Sequence, residues 1–139
     1  MQFKLSSIVA LLLLLLTGNA LGCYSGGTTW GEVGNDDEVN NGLSALCDKF
    51  AGDYVFHVEN VQCQNVNGHG IHGSILVTEG PYGKLGAYVS QEACMDVLKQ
   101  VKDKCDHGGA RGRLISHPDQ YGNDWFRANV VLNPNDGGC

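Results

Sequence analysis

The sequence predicts a single α+β domain: an antiparallel sheet of roughly four strands carrying two main helices, stabilised by disulfides. Three observations carry this. Two stretches with apolar residues at helical spacing alternate with four strand-like stretches in the order αββαββ. Consecutive strands are joined by short turns, which favours antiparallel pairing. Six cysteines sit in 139 residues, an even number in a short chain. The length leaves no room for two full domains, a barrel enzyme or a complete dinucleotide-binding fold. Hydrophobic residues make up 42% and charged residues 17%, which argues against disorder. A net charge of −6 excludes DNA as an expected partner, because sequence-independent grip on DNA needs clustered Lys and Arg.

The first 22 residues read as a signal peptide. Lys4 gives a short basic start, an apolar run with six consecutive leucines follows, and Ala20 and Gly22 stand where signal peptidase needs small residues. The run is too short to span a hydrocarbon core of about 30 Å, so no membrane span is expected. Cleavage before Cys23 leaves 117 residues, and the loss of Lys4 takes the net charge to −7. Cys23 after a small residue also resembles a bacterial lipoprotein site, but lipidation there would leave an odd number of cysteines. The expected location is extracellular, with residues 23–139 as one domain.

Cys23, Cys47, Cys63, Cys94, Cys105 and Cys139 all follow the leader and read as three disulfides. No Cys-x-x-Cys spacing supports a metal site. Cys94 and Cys105 fall on one expected helix about 16 Å apart along its axis, too far to bridge. The remaining pairings stay open. Cys23 and Cys139 are the ends of the mature chain, and tying each to the body would limit fraying.

Residues 23–34 are glycine-rich and expected to be irregular. Asn35 is an N-cap, with Asp36, Asp37 and Glu38 in the first turn and Glu38 placed for a capping box. Val39, Leu43, Leu46, Cys47 and Phe50 then recur at helical spacing, predicting a helix over 36–50. Gly42 weakens it by about 1 kcal/mol relative to alanine, and Gly52 can end it. Residues 54–61 alternate as a strand, with Tyr54, Phe56 and Val58 on one face and Val55, His57, Glu59 and Val61 on the other. Residues 65–70 are turn material and 73–79 a second strand, followed by the turn Gly80-Pro81-Tyr82-Gly83. Ser90 caps a second helix over 91–104, whose inward stripe is Cys94, Val97, Leu98, Val101 and Cys105. Gly108-Gly109 stops it. Strands over 111–117 and 125–132 complete the chain.

The last strand divides cleanly. Phe126, Ala128, Val130 and Leu132 read as core, whereas Trp125, Arg127 and Asn129 face the other way. An indole stacks on the apolar face of a pyranose, and guanidinium and amide groups hydrogen-bond vicinal hydroxyls. The preceding loop adds Tyr121, Asn123 and Asp124. Tyr121, Asn123, Asp124, Trp125 and Arg127 are therefore the candidate sugar contacts. A second reading is hydrolytic: His57 and Glu59 share one strand face, and Arg111, Arg113 and His117 another. An acid, a base and a phosphate-stabilising cation could cleave RNA. Small secreted fungal guanine-specific ribonucleases use residues of these types on an antiparallel sheet. His57, Glu59, Arg113 and His117 are the candidates for that chemistry. His69 and His72 lack the spacing of a zinc site, so no metal or other cofactor is expected. No Asn-x-Ser/Thr sequon occurs.

Several features together carry a family resemblance. They are the start Cys23-Tyr24-Ser25-Gly26-Gly27 with Trp30-Gly31, the helix with Ala45, Leu46 and Cys47, and Cys94 through Leu98 and Val101 to Cys105. Gly108-Gly109, Asp124-Trp125-Phe126-Arg127 and Asn133-Pro134-Asn135-Asp136-Gly137-Gly138-Cys139 complete the set. The chain resembles small secreted fungal proteins similar to the glycan-binding lectin of the shaggy ink cap mushroom. The resemblance spans nearly all of the mature chain. It implies a small α/β sandwich with an antiparallel sheet between helices, and binding of fucosylated or GalNAc-containing glycans. Where Asp-Pro-Asn is expected near the C-terminus, this chain has Asn133-Pro134-Asn135. The function expected is thus a secreted, non-enzymatic, lectin-like glycan-binding protein. Its partners would be glycans or glycoproteins, with a homodimer as a possible assembly. The alternatives are a small secreted ribonuclease and an effector or defence protein that binds a host protein.

Overall fold

The computed structural model describes residues 21–116 and 125–139. In chain order the elements are β1 (Leu21–Cys23), α1 (Trp30–Val33), α2 (Asp36–Phe50), β2 (Gly52–Val55), β3 (Glu59–Val66), β4 (His69–Glu79), β5 (Gly86–Val89), α3 (Gln91–Lys102), β6 (Gly109–Ile115) and β7 (Arg127–Asn135). Five strands form one antiparallel sheet in the order β1-β6-β7-β4-β3, and β2 and β5 form a separate antiparallel pair. The mixed α+β class holds, while the expected four strands and two helices become seven strands and three helices among the described residues.

The departures have causes in turn geometry and in strand pairing. The expected strand over 54–61 is two strands in two sheets. His57 stands between them with φ 65°, a left-handed turn conformation, and its N–H donates to Val77 O at 2.8 Å. Tyr54 stays with the small sheet and is buried, while Glu59 begins the long hairpin with β4. That hairpin turns on Asn67-Gly68 alone, with φ 51° and 82°, the geometry of a two-residue primed turn. The strands therefore run through most of the expected 65–70 loop. β5 has only four residues before the Ser90 cap, too short to signal itself, and exists through its pairing with β2. The expected irregular segment holds the single-turn α1. There Thr29 Oγ1 accepts from Glu32 N, and Glu32 Oε2 accepts from Thr29 N. Residues 1–20 of the expected leader lie outside the described residues, and its last two, Leu21 and Gly22, pair with β6.

The core lies between the large sheet and the two long helices. Leu43, Leu46 and Phe50 of α2 and Val97, Leu98 and Val101 of α3 cover Ile71, Ile75 and Val77 of β4 and Ala128, Val130 and Leu132 of β7. Each of the Val, Leu, Ile and Phe side chains among them contributes about 1.5–3 kcal/mol of burial free energy. The opposite sheet face carries His72, Leu76, Asn129, Val131 and Asn133, all half-buried, and no described helix packs on it. The described residues thus form two layers, with one face covered and one open, rather than a sheet between helices.

The three disulfides are Cys23–Cys105, Cys47–Cys94 and Cys63–Cys139. Cys47–Cys94 joins α2 to α3 inside the core. The other two fasten the two ends of the 23–139 segment to the body. None of the described helices is long and apolar enough to cross a bilayer.

Candidate functional site

The start of β7 is fixed by a reciprocal clasp. Ser116 N donates to Phe126 O at 2.9 Å, and Phe126 N donates to Ser116 Oγ at 2.9 Å. Ser116 and Phe126 are both fully buried. With Phe126 anchored in the core, the two-residue period of an extended chain turns Trp125 and Arg127 away from it.

The neighbouring strand completes the site. A bulge between Val77 and Glu79 interrupts the β4–β7 register, and Thr78 Oγ1 donates to Arg127 O at 3.3 Å. Bulges re-aim side chains, and here Glu79 stands opposite Arg127, with Oε2 3.2 Å from Arg127 Nη1. β4 then enters the Gly80-Pro81-Tyr82-Gly83 turn, closed by Lys84 N donating to Pro81 O at 3.2 Å. Gly80 allows this turn to lie close by: a Cβ there would come within 3.0 Å of both Phe56 and Ala87. The result is an open cleft of about 350 Å³ lined by Phe56, Thr78, Glu79, Tyr82, Lys84 and Trp125. Tyr82 is fully exposed at its rim and Trp125 is half-buried.

Such a cleft offers aromatic faces for stacking, beside a hydroxyl, a carboxylate and two cationic side chains that can hydrogen-bond a polyhydroxylated ring. Of the five expected sugar contacts, Trp125 lines the cleft and Arg127 lies beside it, ion-paired with Glu79. Tyr121, Asn123 and Asp124 lie outside the described residues. Asn129, expected in the same row, is occupied otherwise. Its Oδ1 accepts from Arg113 N at 3.0 Å across a bulge in β6, where Arg113 has φ 53°. Phe56, Tyr82 and Lys84 were not among the contacts expected from the sequence, where Phe56 was read as a strand residue and Tyr82 as part of a turn. The available signal was an aromatic at the centre of a four-residue turn, which has too little chain around it to bury a ring.

Of the ribonuclease candidates, the described members His57, Glu59 and Arg113 are not gathered at one place. His117 lies outside the described residues. His57 occupies the turn before β3, and Glu59 accepts from Ser74 Oγ on β4. Arg111 donates to Gln100 Oε1 of α3 at 3.1 Å, and Arg113 sits in the β6 bulge. Two strands separate β3 from β6, which places them about 14 Å apart across the sheet. His69 Nδ1 lies 3.6 Å from Asp136 Oδ1, and His72 Nε2 lies 3.5 Å from Cys63 Sγ. Among the described residues no cluster of three or more His, Cys, Asp or Glu is placed to hold a metal ion. The chain matches no protein-family model and no curated protein.

Proposed function

We propose that the protein is a secreted, non-enzymatic glycan-binding protein that holds a sugar ring in the Trp125 cleft. The observation that carries this reading is a half-buried indole beside a fully exposed Tyr82, flanked by the Glu79–Arg127 pair. The rings offer stacking surface. The paired carboxylate and guanidinium offer an acceptor and a donor already held in place, which lowers the ordering cost of binding. The cleft is shallow and open to water, as suits a ligand whose hydroxyls keep part of their hydration. The leader pattern and three disulfides favour export to an oxidising compartment. The resemblance to the fungal lectins favours fucosylated or GalNAc-containing glycans.

A glycan array tests this with the wild type, Trp125→Ala and Tyr82→Ala. The expected outcome is wild-type binding that falls at least about tenfold in Trp125→Ala, the equivalent of losing about 1.4 kcal/mol of stacking. Tyr82→Ala should weaken it less. A wild-type protein blank on every glycan ends the reading. A host protein is the second partner class, favoured by Val55, Val58, Leu85 and Tyr88, which stand exposed on or beside β2 and β5. Capture of a host protein that persists after enzymatic deglycosylation would select it.

A further inference from the structure

At the far end of β4 and β7 from Trp125, the chain forms a second depression, of about 550 Å³. One wall is the glycine-rich segment with Tyr24, Gly27 and Thr28. The other is the end of β7, with Asn133, Asn135 and Asp136. Both walls are pinned. The first is held by Cys23–Cys105, by Tyr24 N donating to Gly108 O at 3.0 Å, and by His107 Nδ1 at 2.8 Å from Gly27 O. Trp30, just beyond it, donates Nε1–H to Cys105 O at 2.7 Å. The second wall is held by Cys63–Cys139 and by Cys139 N donating to Asn65 Oδ1 at 2.7 Å. The walls meet where buried Thr28 donates from Oγ1 to Asp136 Oδ1 at 2.7 Å. Behind that carboxylate, the buried His69 Nδ1 makes no hydrogen bond.

The trough therefore has one carboxylate aimed by a buried hydroxyl, two amides and a tyrosine, on a frame tied by two disulfides. A fixed carboxylate beside amides is suited to accept from and donate to adjacent hydroxyls of one sugar ring. Asp136 is the one charged side chain among the residues that line the trough, and its carboxylate opposes an anionic ligand.

We propose that this trough is a second saccharide site, selective for a neutral hexose or hexosamine over an acidic sugar, so that one copy of the chain holds two sugars at once. The pairings Glu79↔Arg127 and Gly70↔Asn135 mark the two ends of the same ladder, about 27 Å apart. A single copy can then bridge two glycan chains and gain avidity without assembling. The bivalence rests on the sugar-binding reading of the Trp125 cleft, whereas binding at the trough does not.

Native mass spectrometry against a panel of neutral monosaccharides and N-acetylneuraminic acid counts the sites. Wild type, Trp125→Ala, Asn133→Ala/Asp136→Ala and the combination of all three are compared. Agglutination of beads coated with desialylated glycoprotein, at concentrations where the protein sediments as a monomer, reads bridging. The expected result is two equivalents of neutral sugar for the wild type, one for each site variant and none for the combination. Agglutination should be lost in both site variants while bead binding persists. Asp136→Asn keeps an acceptor for Thr28 and checks that folding is intact. It should bind neutral sugar about tenfold more weakly and relax the rejection of N-acetylneuraminic acid. A single equivalent abolished by Trp125→Ala overturns the trough and leaves the cleft standing. A single equivalent abolished by Asn133→Ala/Asp136→Ala supports the trough and ends the cleft and the bivalence. No bound sugar at all overturns both.

Discussion

Tyr54 shows how one side chain couples the small sheet to the helical layer. Its ring is buried, its hydroxyl donates to Phe50 O at 2.8 Å, and it accepts from Asn60 Nδ2 at 3.0 Å. Burial pushes its phenol up to about 12, against an ordinary value near 10. The neutral form is the one the fold favours. Below about pH 10 both folded and unfolded chains keep this proton and the contribution is complete. From there to about pH 12 the unfolded chain ionises first, so stability falls as pH rises. Burial also raises the Tyr24 phenol, so we expect two of the five tyrosines, Tyr54 and Tyr24, to ionise late in a phenolate absorbance titration. In denaturant unfolding, Tyr54→Phe should flatten the loss of stability across that window, and equal slopes for both proteins would refute the assignment. At this scale the sequence was informative about burial and poor about pairing. Alternation correctly sent Phe126, Ala128, Val130 and Leu132 inward. It could not show that Arg127 would meet Glu79, or that Asn129 would serve the β6 bulge, because both partners lie on other strands.

Gly42 is the clearest case at the scale of an element. It costs α2 helix propensity, and the sheet explains why it is there: a Cβ at this position would run into Val66 Cγ2 and approach Ile71 Cδ1 at 3.3 Å. The glycine lets α2 lie close on β3 and β4. Gly42→Ala should therefore destabilise the protein by about 1–3 kcal/mol despite its better propensity. Gly42→Ala/Val66→Ala should show a favourable coupling between the two sites in thermal or denaturant unfolding. A stabilised Gly42→Ala would mean that the helix can move away freely. The ends of α2 were legible because its cap is local: Asn35 Oδ1 accepts from Glu38 N, and Glu38 Oε2 accepts from Asn35 N, each at 2.9 Å. The split of 54–61 was not legible. A left-handed His57 leaves the alternation of its neighbours intact in the sequence while sending them to different sheets. β1 and β5 were missed for a related reason, since three- and four-residue strands owe their existence to partners distant in the chain.

For the whole molecule, the six cysteines were the most dependable signal, because an even set in a short chain has few uses other than bridges. Their pairing lay beyond the sequence, since it depends on which elements the sheet order brings together. The chain-entropy model gives each bridge about 4 kcal/mol, with closed loops of 82, 47 and 76 residues. Exposure differs more than loop length. Cys47 and Cys94 are fully buried, whereas Cys139 and Cys23 reach the surface. Under a mild reductant, alkylation followed by mass spectrometry should find Cys63 and Cys139 modified first and Cys47 and Cys94 last. Early modification of the buried pair would mean that α2 and α3 part before the two outer bridges open. The connectivity has one more effect. The rings closed by Cys23–Cys105 and Cys63–Cys139 overlap, and together they enclose every peptide bond from Cys23 to Cys139. A protease that nicks this stretch once cannot separate the two pieces, so the molecule stays one covalent body and keeps its shape through damage that would sever an unbridged chain.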